Sequence, residues 1–74
     1  MKSRITPEFR HAFGYLPEHI QERTREAYRQ FKKDPTHPSL HFKKVNSALC
    51  IYSARISKNY RAVGLLRGDI VIWF

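Results

Sequence analysis

The sequence predicts an α+β fold, with two N-terminal helices packed on one face of a 3–4-stranded antiparallel sheet, and residues 1–74 are expected to form a single domain. Three observations carry this. Apolar residues recur at helical spacing up to Phe31 and at a spacing of two beyond the turn-rich stretch Asp34 to Ser39. All four prolines, Pro7, Pro17, Pro35 and Pro38, fall where elements should begin or end. Two short polar links, Ser57-Lys58-Asn59 and Arg67-Gly68-Asp69, separate runs rich in β-branched and aromatic residues, as in successive hairpins.

Taken in order, Thr6-Pro7-Glu8 opens the first helix. Thr6 can cap, Pro7 lacks an N–H that would have no partner in the first turn, and Glu8 suits the positive end of the dipole. Phe9, Phe13 and Leu16 mark its inner face, and Gly14 and Pro17 bracket its end. Pro17-Glu18 starts a longer helix whose stripe is Ile20, Thr24, Ala27 and Phe31, with Tyr28 beside it. Lys32 and Lys33 suit its C-terminal end, and Asp34-Pro35 stops it. Glu22 and Glu26 alternate with Arg23, Arg25 and Arg29 on the outer face, the pattern of a solvated mixed-charge surface. Leu40 to Lys43 alternates as a first strand, followed by strands over Leu49 to Ile56, Tyr60 to Leu66 and Ile70 to Phe74.

The hairpin register decides where charge goes. With Ser57-Lys58-Asn59 as a three-residue loop and Asn59 left-handed, Ile56 pairs with Tyr60, and Arg55 stands opposite Arg61. A two-residue loop would split the apolar sets. The favoured register puts Tyr52 and Ala54 on the core face and Ser53 opposite Val63 on the other. Like charges facing across a strand pair are unfavourable by a few tenths of a kcal/mol, on the order of the usual cross-strand effect. Arginines kept there suit an anion, because the planar guanidinium donates bidentately to phosphate.

Charge is uneven. The net value is +8, yet residues 35–68 hold six basic and no acidic side chains. With 42% hydrophobic residues the chain is not a disordered basic tail, and nucleic acid is the first partner class to consider. Lys43, Lys44, Lys58 and Arg67 extend the positive field of the sheet and are candidate RNA-binding residues beside Arg55 and Arg61. One cysteine, Cys50 between Leu49 and Ile51, excludes an intrachain disulfide and reads as a small core residue. A reducing, cytoplasmic setting is expected, and no apolar run approaches a membrane span. His11, His19, His37 and His41 show no metal-ligand spacing, and no glycine-rich phosphate loop occurs, so no cofactor and no metal are expected. Cleavage of RNA by its own 2′-hydroxyl asks only for cationic groups and proton transfer. Arg55 and Arg61 supply the cations, and His41, Lys43 or Tyr52 are candidates for moving protons.

The order of elements, together with Phe13-Gly14-Tyr15-Leu16-Pro17, Asp34 to Lys43, Tyr52-Ser53-Ala54-Arg55-Ile56 and Asn59-Tyr60-Arg61-Ala62, resembles the RelE/ParE toxins of bacterial type II toxin–antitoxin systems. The resemblance implies a microbial-RNase-like fold. It implies, for the RelE branch, a ribosome-dependent endoribonuclease that cuts mRNA and so inhibits translation, with a cognate acidic antitoxin, the ribosome and mRNA as partners. Arg61 matches the arginine that holds the scissile phosphate, and Arg55 matches a basic residue on the preceding strand. Ser53 stands where that branch has a further basic residue. Members of that family with an Ile-x-Trp-Phe strand usually continue into a segment whose basic, histidine or tyrosine residues complete the site, so the chain is expected to be C-terminally short, with Trp73 and Phe74 exposed on a last strand open to an antitoxin or a homodimer. A ParE-like inhibitor of DNA gyrase without catalytic activity, and a degenerate toxin that only binds its antitoxin, fit the same resemblance.

Overall fold

Five strands, one more than the widest expectation, form the sheet in a computed structural model that describes all 74 residues. The elements are β1 (Lys2–Ile5), α1 (Pro7–Gly14), α2 (Glu18–Lys33), a 3₁₀ turn (Pro38–Leu40), β2 (Lys43–Asn46), β3 (Ile51–Ser57), β4 (Tyr60–Arg67) and β5 (Ile70–Trp73). Strand order is β1-β5-β4-β3-β2. The sheet is mixed, since β1 runs parallel to β5 and every other pair is antiparallel. Both helices pack on one face, as the sequence predicts.

Local chemistry explains the helix ends. Thr6 takes the extended conformation of a cap, and its hydroxyl accepts from the Phe9 N–H at 3.1 Å while donating to the Trp73 carbonyl at 2.9 Å. The Gln21 amide donates to the Phe13 carbonyl at the end of α1, which fixes the turn into α2. Ile20, Thr24 and Phe31 of the α2 stripe are buried, and the Thr24 hydroxyl is satisfied by the Ile20 carbonyl one turn back. At the other end Asp34 accepts from the side chain and backbone of Thr36, and these bonds, with His37 nearby, hold its carboxyl below the ordinary 3.8. The outer face of α2 carries one ion pair, Arg25 with Glu22 at 3.0 Å, both half exposed.

The core is small. Phe31, Leu40, Ala54, Val71 and Trp73 form its centre, with Phe31 edge-on to Trp73 and to Phe42. Gly64 lets Trp73 and Val71 close on β4, because a Cβ there would stand 2.8 Å from Val71 Cγ1 and 2.9 Å from Trp73 Cε3. No helix is long and apolar enough to cross a membrane.

Four expectations are corrected. Leu40 to Lys43 is not a strand: Pro38 opens a 3₁₀ turn, His41 ends it in the left-handed region at φ 45°, and pairing starts only at Lys43. Leu49 and Cys50 do not belong to β3. They lie in the preceding turn, Leu49 exposed and Cys50 half-buried at φ 54°, so Cys50 is not a core residue. The β3–β4 link is a two-residue turn, Lys58-Asn59, with Ser57 opposite Tyr60 and no left-handed Asn59. A bulge at Ile56 absorbs the extra residue, which restores the expected pairs Arg55 with Arg61, Ala54 with Ala62 and Ser53 with Val63. Finally, β5 lies inside the sheet, its outer edge taken by β1, so the edge through which a homodimer was expected is already paired. Trp73 is 3% exposed rather than open, and Phe74 alone is half exposed.

Candidate nucleic-acid interface

Alternation divides the strands between two faces. Ala54, Ala62, Gly64, Val71 and Trp73 point to the helices, and their neighbours point to a face that no element covers. The five strands contain seven of the fourteen Lys and Arg residues and none of the six Asp and Glu residues. On the uncovered face Ile51, Val63, Leu65, Ile72 and Phe74 form an apolar centre, rung by rung through the register. Cations flank it on both sides: Lys2, Arg4 and Arg67 toward β1, and Arg55, Arg61 and Lys43 toward β2.

The sequence-predicted residues separate into those brought together and those kept apart. Arg55 and Arg61 are direct cross-strand partners, Arg55 half-buried and Arg61 exposed. Lys43 pairs with Ser53 and so lies on the adjacent rung of the same face. Ser53 is 4% exposed, and its hydroxyl has no hydrogen-bond partner in the protein. Thus the β3 position where the resemblance expects a cation holds a buried hydroxyl, while Lys43 brings a cation to that rung from the neighbouring strand. Lys58 sits in the turn just beyond the arginine pair. Lys44 has the opposite orientation from Lys43, its ammonium 5.8 Å from the ring of Tyr52 on the helix side. Arg67 is six residues along β4 from Arg61, about 20 Å at strand rise, and belongs to the other flank.

Of the proton-transfer candidates, Tyr52 is stacked on Phe42 at 4.9 Å on the helix side, away from the arginines. His41 is exposed at the end of the 3₁₀ turn. It lines a groove of about 750 Å³ between α2 and the β3–β4 hairpin, together with Arg23, Arg55, Lys58 and Tyr60. Arg23 reads in the sequence as part of a solvated helix face and Tyr60 as part of the Tyr-Arg stretch of the hairpin, and neither announces the groove, which exists only once α2 lies beside the hairpin. A second, apolar groove of about 290 Å³ runs between α1, α2 and the sheet, with Phe9, Phe13, Ile56 and Trp73 among its walls. No three His, Cys, Asp or Glu side chains converge in a way that could hold a metal ion.

A family model of the ParE-like toxin domain matches residues 18–74, which span α2, the hairpin and the arginine pair. The chain belongs to the ParE-like toxin family. The fold of this ParE-like chain is shared with solved toxins. A RelB–RelE antitoxin–toxin complex from Methanococcus jannaschii superimposes with a TM-score of 0.76 at 21% identity, over 93% of this chain and 81% of that one. An archaeal RelE–RelB complex from Pyrococcus horikoshii gives 0.74 at 17% identity, over 97% and 86%. A YoeB/ParE toxin from Agrobacterium tumefaciens gives 0.74 at 16% identity, over 100% and 93%. No curated protein matches the chain by sequence. The shared fold thus accounts for a sheet with one helix-covered and one uncovered face.

Proposed function

We propose that this ParE-like protein is the toxin of a toxin–antitoxin pair and that it cuts mRNA on the ribosome, so stopping translation. The observation that carries the reading is the Arg55–Arg61 pair on a sheet face without a single carboxylate, with Lys43 on the next rung. Arg61 and Arg55 hold the non-bridging oxygens of one phosphodiester and neutralise the charge that grows as the phosphorus becomes five-coordinate. The 2′-oxygen forms its bond to phosphorus as the bond to the 5′-oxygen breaks. The 2′-hydroxyl proton passes to water, and the Lys43 ammonium protonates the departing 5′-oxygen, leaving a 2′,3′-cyclic phosphate and a 5′-hydroxyl. Lys58 contacts a neighbouring phosphate, and Lys44 and Arg67 add only to the wider positive field. An acidic antitoxin segment silences the toxin by covering the same cations, as suits a chain of net charge +8.

The test is to add the protein to a translating extract and map the mRNA ends. Ribosome-dependent cuts are expected, and Arg61→Ala should lower their rate by about 10²–10³-fold. Its stability should stay within about 0.5 kcal/mol of the parent, as for other exposed substitutions. One observation favours a second reading, a ParE-like inhibitor of DNA gyrase: the uncovered face holds no His, Tyr, Asp or Glu side chain beside the arginines. Intact mRNA together with blocked supercoiling would select that reading and sink the nuclease.

A further inference from the structure

The groove between α2 and the β3–β4 hairpin has a composition that the arginine pair alone does not explain. Arg23 and Glu26 line it from α2, Arg55, Lys58 and Tyr60 from the hairpin, and His41 from the 3₁₀ turn. Three permanent cations therefore face one carboxylate. None of them is neutralised internally, since the molecule's one ion pair joins Arg25 to Glu22. His41, exposed where it ends the 3₁₀ turn, turns its ring into the same groove. Arg55 belongs to both places, lining the groove and facing Arg61 across the hairpin.

We infer that the groove is a second RNA subsite, taking the nucleotides next to the phosphate held by Arg55 and Arg61. The inference rests on the nuclease reading above for what lies on the arginine pair. A single strand crossing that pair continues round the β3 edge, where β2 no longer pairs with β3, and enters the groove. Arg23 and Lys58 then meet its phosphates, and the rings of Tyr60 and His41 offer faces on which a base can stack, the combination by which single strands are held without base-specific hydrogen bonds. An acidic peptide would use the cations but not the rings.

The experiment measures fluorescence anisotropy of labelled 2′-O-methyl oligoribonucleotides, which lack the attacking hydroxyl and stay intact. A dinucleotide reaches only the arginine pair, and a hexanucleotide extends into the groove. Replacing Arg23→Ala and Lys58→Ala together should weaken hexanucleotide binding about ten-fold and flatten its log–log salt slope by about 1.4, for two lost phosphate contacts. The dinucleotide should be unchanged. Lys32→Ala with Lys33→Ala removes the same charge from α2 side chains that do not line the groove and should change neither by more than about two-fold. Equal losses in both double variants would reduce the groove to bulk charge and overturn the inference. It also fails if the groove variant binds the hexanucleotide like the parent, or if an oligoglutamate peptide responds to the groove substitutions while RNA does not. Arg61→Ala separates the two claims: loss of dinucleotide binding with an inert groove leaves the nuclease reading standing alone. A groove-dependent hexanucleotide with an indifferent Arg61 leaves the subsite and removes the nuclease.

Discussion

Gly64 shows how little room the sheet leaves at its centre. It faces Trp73 in the register, and the indole and the Val71 side chain fill the space that any side chain at position 64 would need. Neither neighbour is a flexible surface group, since Val71 is fully buried and Trp73 nearly so. Gly64→Ala is therefore expected to destabilise the protein by about 1–3 kcal/mol through overpacking, read as a lower urea midpoint with the slope unchanged. A midpoint equal to the parent's would mean that β5 can move away from β4 without loss. Ser53 is the complementary example on the other face, a buried hydroxyl without a partner on the rung beside two arginines. Its burial explains why a cation for this rung comes from Lys43 on β2.

Among the elements, the corner where β1, α1 and β5 meet holds the two ends of the chain together. The Trp73 carbonyl accepts from both the N–H and the hydroxyl of Thr6, and the same hydroxyl caps α1. Ser3 donates to the Tyr28 hydroxyl at 2.9 Å, tying β1 to α2 as well. Because α1 has only eight residues and no fully buried side chain, it depends on this corner more than on its own propensity. Thr6→Ala should cost about 0.5–2 kcal/mol. Faster hydrogen exchange is expected first at the Phe9 amide, which loses its acceptor. An unchanged Phe9 amide would show that the cap contributes nothing there. The long helix α2 is anchored differently, by a buried stripe of Ile20, Thr24 and Phe31 against the sheet, and its outer ion pair adds a few tenths of a kcal/mol at most.

Across the whole molecule, charge segregates by layer. Every acidic residue lies on a helix or in a turn, while half of the cations lie in the sheet. Fourteen cations against six carboxylates, with one exposed ion pair between them, make self-repulsion the dominant electrostatic contribution to stability. Raising the salt concentration from low to physiological shortens the screening length from about 30 Å to about 8 Å. The urea midpoint should therefore rise with salt, while the RNA binding proposed above should weaken. A midpoint that drops would show that attractive pairs outweigh the repulsion. The same segregation gives the protein one face suited to an anionic partner and a helix-covered face that is mixed in charge.

Much of the architecture was legible because it is local. Thr6-Pro7, the α2 stripe and Asp34-Pro35 act within a turn or two of the chain, and the Arg55–Arg61 register follows from residues six apart. What local pattern could not specify was pairing between distant segments. Lys2 to Ile5 has too few apolar residues to announce a strand, and it becomes one because β5, at the opposite end of the chain, offers an unpaired edge. That pairing encloses β5 and helps bury Trp73, which overturns the expected open aromatic edge. The bulge at Ile56 is likewise a compromise between a two-residue turn and a sheet that needs Ala54 and Ala62 inward. The groove beside Arg55 arises only when α2, the 3₁₀ turn and the hairpin meet, since its lining comes from separate segments whose approach is set by burial of Phe31 and Leu40.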